Sequence, residues 1–85
     1  MASYKIFLKA SAARELEALP KADRLRVVER IKTLAENPRP MGCEKLTGDE
    51  KYRLRQGVYR ILYEIHDDTI TVMVVKIGHR RAVYR

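Results

Sequence analysis

The hydrophobic pattern of this chain changes period once, and that change decides what it can fold into. Up to about Glu36 apolar residues recur at helical spacing, and beyond Thr47-Gly48-Asp49 they alternate, as half-buried strands require. Ser11 to Leu19 puts Ala12, Ala13, Leu16 and Leu19 on related faces, with Ser11 as the expected N-cap. Pro20 breaks that pattern and suits the first turn of a second helix, about Lys21 to Glu36. There Leu25, Val28, Ile31 and Leu34/Ala35 form the expected core stripe, while Arg24, Arg26, Glu29, Arg30 and Lys32 fill the other side. Asn37-Pro38-Arg39-Pro40 ends the helix, because the residue before a proline is pushed from helical angles.

A loop to about Leu46 and a turn at Thr47-Gly48-Asp49 lead into the alternating part. Tyr52 to Arg55, Tyr59 to Ile65 and Ile70 to Ile77 read as strands, joined by turns at Gln56-Gly57 and Asp67-Asp68. Tyr4 to Leu8 makes a first strand, and Ala82 to Tyr84 a short final one. The fold expected is α+β: an N-terminal strand and a two-helix hairpin packed on a mainly antiparallel β-sheet of about four strands. The 85 residues fit one domain, 1–85, with one modest core. Little stability is left to spare in so short a chain, so a partner is expected to complete part of its surface.

Charge narrows the function. There are 18 Lys plus Arg against 11 Asp plus Glu, and the excess is uneven. Residues 51–85 hold eight basic and three acidic side chains; the first fifty hold ten and eight. Such a surface attracts polyanions. No apolar stretch approaches the roughly 20 residues of a membrane span, and no segment reads as a signal peptide. A single cysteine, Cys43, rules out an internal disulfide. These features make the cytoplasm the expected location and a membrane an unexpected partner.

Alternation directs the basic side chains. Arg53 and Arg55 leave one face of their strand while Tyr52 and Leu54 leave the other. Arg60 begins the next strand across the turn and can join them. Gly78-His79-Arg80-Arg81 follows the third strand, with Tyr84 close behind, so guanidiniums, an imidazole and a phenol are expected to converge on one sheet face. Guanidinium is a planar, permanently charged, bidentate donor to phosphate. RNA brings its own nucleophile, the 2′-hydroxyl, so a protein need only align it, stabilise the charge on phosphorus and move protons. His66 and His79 have no second ligand at metal-binding spacing, so no metal and no cofactor is expected. The plainer readings are salt bridges for Arg60 and Arg80, aggregation control for Arg53 and Arg55, and packing for Tyr52, Tyr59, Tyr63 and Tyr84.

The run from Tyr52-Arg53-Leu54-Arg55-Gln56-Gly57 through Tyr59-Arg60 to Ile65 resembles the central segment of the RelE/ParE toxin superfamily. So does the ending Lys76-Ile77-Gly78-His79-Arg80-Arg81-Ala82-Val83-Tyr84-Arg85. The helical hairpin, the Asn37-Pro38 break and the Lys45-Leu46-Thr47-Gly48 turn fall in the family's order, so the likeness spans nearly the whole chain. The resemblance implies a RelE-like, microbial-ribonuclease-like fold and a type II toxin–antitoxin pair. It implies a RelE-type mRNA interferase, which cleaves mRNA in the ribosomal A site by 2′-hydroxyl attack, leaving a 2′,3′-cyclic phosphate. The implied partners are a RelB-like antitoxin, the ribosome and mRNA, with operator DNA reached only through the antitoxin complex.

Carried over by motif, Arg60 matches the arginine of the Tyr-Arg pair, Arg80 the arginine after Gly-x, and Tyr84 the C-terminal tyrosine. Arg53 and Arg55 stand where the best-known members have two lysines, and arginine cannot act as a general base. The resemblance thus makes Arg60, Arg80 and Tyr84 catalytic candidates, to which His79 is added because a free imidazole titrates near neutrality; Arg53, Arg55 and Arg81 are the RNA-binding ones. Tyr84, His79 and Glu64 are the candidate bases. Two rivals share the fold: a ParE-like, non-enzymatic inhibitor of DNA gyrase, and a degenerate toxin kept as a binding module.

Overall fold

The alternating half of the chain folds as three long strands, and the rest is arranged around them. In chain order the elements are β1 Lys5–Leu8, α1 Ala10–Glu17, α2 Lys21–Thr33, β2 Glu44–Lys45, β3 Lys51–Gln56, β4 Tyr59–His66 and β5 Thr71–His79. This computed structural model describes residues 3–46 and 51–79. The strands form one sheet in the order β1-β5-β4-β3-β2. All neighbours run antiparallel except β1 and β5, which are parallel. A parallel pair needs a long crossover, and the chain supplies one, since everything from α1 to β4 lies between the two strands.

The architecture is the expected α+β one, with five strands instead of about four. The extra strand, β2, pairs Glu44 with Arg53 and Lys45 with Tyr52 in a stretch that reads as loop because it is two residues long. Smaller differences have local causes. Lys9, not Ser11, is the N-cap of α1, without a side-chain cap, and Ser11 lies inside the helix. The β3–β4 turn is Gly57-Val58, one residue later than expected, where Gly57 supplies a φ of +60°, as a two-residue hairpin loop asks. Four residues, 67–70, join β4 to β5, and Ile70 takes a φ of 52°, unusual for a β-branched side chain. Its carbonyl accepts the Lys5 amide at 2.9 Å, which ties β1 to that turn. The expected turn at Thr47-Gly48-Asp49 and strand at Ala82 to Tyr84 lie outside the described residues.

One face of the sheet is the core. Tyr52, Leu54, Ile61, Tyr63, Ile65, Val72, Val74 and Ile77 are buried there against Ala12 of α1 and Val27, Ile31 and Leu34 of α2 and its end. Each such aliphatic side chain contributes about 1.5–3 kcal/mol by leaving water. The α2 stripe differs from the expected one. Val27, Ile31 and Leu34 are buried, at a spacing of four and three, whereas Leu25 is 55% exposed and Val28 half-buried. Both stripes satisfy helical spacing, and the packing partner selects between them.

A bulge fixes the second half of β5. Leu62 pairs with Lys76 and Tyr63 with Val74, so Val75 is an extra residue on β5. It reverses the facing of everything after it, which is how Val74 and Ile77, three apart, both reach the core. Beyond β1 the edge of β5 is covered by α1, where Glu15 accepts the Ile77 amide at 2.9 Å and pairs with Lys76 at 3.1 Å. Among the described residues no helix is long and apolar enough to cross a membrane.

Candidate phosphate-binding face

Among the described residues the sheet's other face carries no helix, and its pleat brings three arginines together. Arg53 and Arg55 alternate with buried Tyr52 and Leu54, as expected. Arg55 pairs directly with Arg60 across the hairpin, which sets their Cβ atoms about 5 Å apart. Like charges placed opposite one another destabilise a sheet. Arg60 is moreover buried, at 8% exposure.

Glu44 reports on the cluster. Its carboxylate accepts Arg53 Nη2 at 2.6 Å and Nε at 3.1 Å from the neighbouring strand. Those bonds, then the charge of Arg53 and the more distant charges of Arg55 and Arg60, hold the carboxyl below its usual range. Three guanidiniums therefore act on one exposed point of the surface. Sequence reading missed Glu44, and the missing signal was β2, whose pairing carries it to Arg53.

The expected convergence is corrected at His79. His79 pairs with Tyr59, and their rings meet edge to face with centroids 6.2 Å apart. Tyr59 points to the helices, where its hydroxyl donates to Asp23 Oδ2 of α2 at 2.9 Å. The imidazole therefore leaves the helix side of the sheet, not the side of Arg53, Arg55 and Arg60. The bulge at Val75 is the cause. Gly78 takes the place opposite Arg60, and Arg80 follows two residues later in sequence. Arg80, Arg81 and Tyr84 lie outside the described residues. Glu64 shares the arginine face but accepts from His66 at 3.0 Å. Four residues along β4, it is about 13 Å from Arg60.

A second polar cluster, also missed by sequence reading, braces the other end. Arg39 donates to Asp67 at 2.8 and 3.4 Å and to the Tyr52 hydroxyl at 3.2 Å, and lies over the Tyr52 ring at 5.4 Å. Tyr4 donates to Asp67 at 2.6 Å. Arg39 first, then Tyr4, keeps the Asp67 carboxyl below its usual range. Tyr63 stacks on Tyr52 and donates to the Pro38 carbonyl at 2.8 Å, and burial pushes its hydroxyl pKa up. The segment leading to Glu44 is thereby pinned to the core. Among the described residues no group of His, Cys, Asp and Glu is arranged to hold a metal ion.

Known proteins resemble the whole chain. The family model for the ParE toxin of the type II toxin–antitoxin system parDE matches residues 6–84. Toxin RelG of Mycobacterium tuberculosis is 33% identical over 96% of this chain and 97% of its own length. Toxin RelE of the same organism is 34% identical, over 96% and 87%. Among solved structures, the M. tuberculosis toxin–antitoxin complex RelBE2 superposes with a TM-score of 0.83 at 30% identity, covering 94% of both chains. The RelE–RelB complex of Pyrococcus horikoshii gives a TM-score of 0.84 at 27% identity, over 94% of this chain and 98% of that one. The isolated Escherichia coli RelE toxin gives 0.81 at 25%, over 96% and 92%.

Proposed function

The chain belongs to the ParE toxin family of type II toxin–antitoxin systems, and from that premise we propose a ribosome-dependent endoribonuclease held inactive by a cognate RelB-like antitoxin. The observation that carries the reading is the Arg55–Arg60 pair, opposed across two strands with Arg53 beside it. A phosphodiester could be held by these guanidiniums together. In the reaction, the 2′-hydroxyl oxygen attacks the adjacent phosphorus and the bond to the 5′-oxygen of the next nucleotide breaks. A 2′,3′-cyclic phosphate and a 5′-hydroxyl result. Arg60 and Arg80 hold the phosphate and stabilise the charge that grows on it, while Arg53, Arg55 and Arg81 bind the flanking backbone.

The 2′-hydroxyl proton needs an acceptor that arginine cannot provide. Among the described residues Glu44 is the carboxylate on this face that bonds a guanidinium of the cluster, and its lowered pKa keeps it ionised. It is a correspondingly weak base, so most of the rate must come from charge stabilisation. Tyr84 is the candidate donor to the leaving oxygen, whereas His79 stands on the opposite pleat. The ribosome positions the message, which places the toxin in the cytoplasm, and operator DNA is reached through the antitoxin complex.

The matching family model is named for the ParE toxin, and the second reading is that of a ParE-like chain that inhibits DNA gyrase without chemistry. Purified toxin, programmed ribosomes and primer extension separate the two. The nuclease reading expects cuts within the A-site codon that disappear in Arg80→Ala while the fold is kept. Intact message together with inhibited supercoiling would select the gyrase reading.

A further inference from the structure

A second concave site lies on the helix side of the sheet, across the hairpin from Arg55 and Arg60. It is a cavity of about 250 Å³ between the start of α2 and the tip of the β3–β4 hairpin. Asp23 and Arg26 line it from α2, and Gln56 and Tyr59 line it from the hairpin. Asp23 and Arg26 are three apart, hence neighbours on one helix face, yet no ion pair joins them. The Tyr59 hydroxyl occupies one acceptor position of Asp23 Oδ2. A carboxylate has about four such positions, and the rest are open. Arg26 and Gln56 make no side-chain hydrogen bond among the described residues. One carboxylate, one guanidinium and one amide thus surround a space beside an aromatic ring, and the Tyr59–Asp23 bond is the one side-chain hydrogen bond among them.

A wider groove continues from it. Arg26 and Gln56 line both cavities, and the second, of about 420 Å³, adds Arg30, Thr33, exposed Leu25 and Glu29, whose carboxylate is paired with Lys32 at 3.4 Å. Arg26 and Arg30 are four apart and line the same groove. A polar end followed by two arginines matches a nucleotide, with its base at Asp23 and its phosphates along α2. The base is specified by chemistry. Guanine offers two adjacent donors, N1–H and the 2-amino group, which fit the two oxygens of a carboxylate, and an O6 acceptor for a guanidinium or amide. Adenine would turn the N1 lone pair toward Asp23 and be repelled. Single-stranded RNA is recognised in this manner, through splayed bases read on their edges beside aromatic rings.

We propose that this cavity binds a guanine base of single-stranded RNA, with Asp23 reading the base and Arg26 and Arg30 holding the backbone. The site goes beyond the nuclease reading, and binding alone tests it, so it survives or fails independently of cleavage. The experiment is a titration of the ¹⁵N-labelled protein by NMR with three probes: GMP, the single-stranded RNA A-G-A, and A-A-A. Shifts are expected at Asp23, Gln56 and Tyr59, with A-G-A at least about ten-fold tighter than A-A-A, the discrimination one bidentate pair can give. GMP should perturb the same residues more weakly. Asp23→Asn, which keeps shape and a Tyr59 acceptor, should remove the guanine preference. The exposed Arg26→Ala should weaken A-G-A and A-A-A alike. Equal binding of A-G-A and A-A-A, or shifts confined to the Arg55–Arg60 face, would overturn the proposal. GMP binding without A-G-A binding would overturn the assignment to RNA.

Discussion

The two sides of β4 put consecutive residues to opposite uses. Ile61 is fully buried against the helices, opposite Leu54 and Ile77, while Arg60, one residue earlier, is opposite Arg55 and Gly78 on the other face. On the first side each neighbour removes apolar surface from water, and stability accumulates. On the second, two like charges meet and stability is given up. The sheet is thus a platform whose helix side supplies the free energy that its arginine side consumes.

The comparison predicts separable losses. Ile61→Ala leaves a cavity in the tightest part of the core, and the expected cost is about 2–5 kcal/mol, measured as a drop in the denaturant midpoint at unchanged slope. A loss below 1 kcal/mol would mean that the helices do not close over this face as described. Arg60→Gln, next along the strand, should leave the midpoint within about 1 kcal/mol, since it also relieves the repulsion of Arg55. The same change should slow message cleavage on ribosomes by about 10²-fold or more, the usual cost of removing one charge-stabilising donor. Equal damage to stability and cleavage would remove the distinction between the two sides.

Which side was legible in the sequence follows from the same contrast. Alternation is a local property, so Tyr52 and Leu54 could be assigned to one face, and Arg53 and Arg55, with Arg60 able to join them, to the other, from order alone. Failures occurred where a long-range partner decides. The α2 sequence allows two stripes, and the sheet selects Val27, Ile31 and Leu34. Val75 becomes a bulge because of its pairing with β4, and that one residue carries His79 away from the arginines. Glu44 reaches Arg53 because Lys45 and Tyr52 pair, and the Arg39–Asp67–Tyr4 cluster joins three segments that no spacing rule connects. The family motif names its arginines by order in the chain, whereas the position of its proton carriers depends on such pairings.

Tyr63→Phe tests a smaller part of the helix side. The ring and its stacking on Tyr52 stay, but the buried Pro38 carbonyl loses its donor at 2.8 Å. The expected loss is about 1 kcal/mol, read from thermal or denaturant unfolding. Cleavage should fall less than for Arg60→Gln, because the segment before Glu44 is loosened, not removed. An unchanged midpoint would show that Arg39 alone holds that segment.

The smallest effect is the response to acid, and it samples both sides at once. Glu44 on the arginine face is held down mainly by Arg53, and Asp67 at the braced end mainly by Arg39. Their carboxyls titrate lower in the folded chain than the ordinary 4.5 and 3.8. A depressed carboxyl contributes stability that is complete above its unfolded pKa and is lost as pH falls through its folded one. Stability should therefore be flat from neutrality to about pH 5 and decline below it. Both carboxylates are open to solvent, so added salt should shrink the decline. Asp67→Asn should remove its share of the slope while the arginine face is untouched, and Glu44→Gln the other share with loss of cleavage. If either variant left the acid limb of the curve unchanged, the corresponding ion pair would not be holding its side of the sheet.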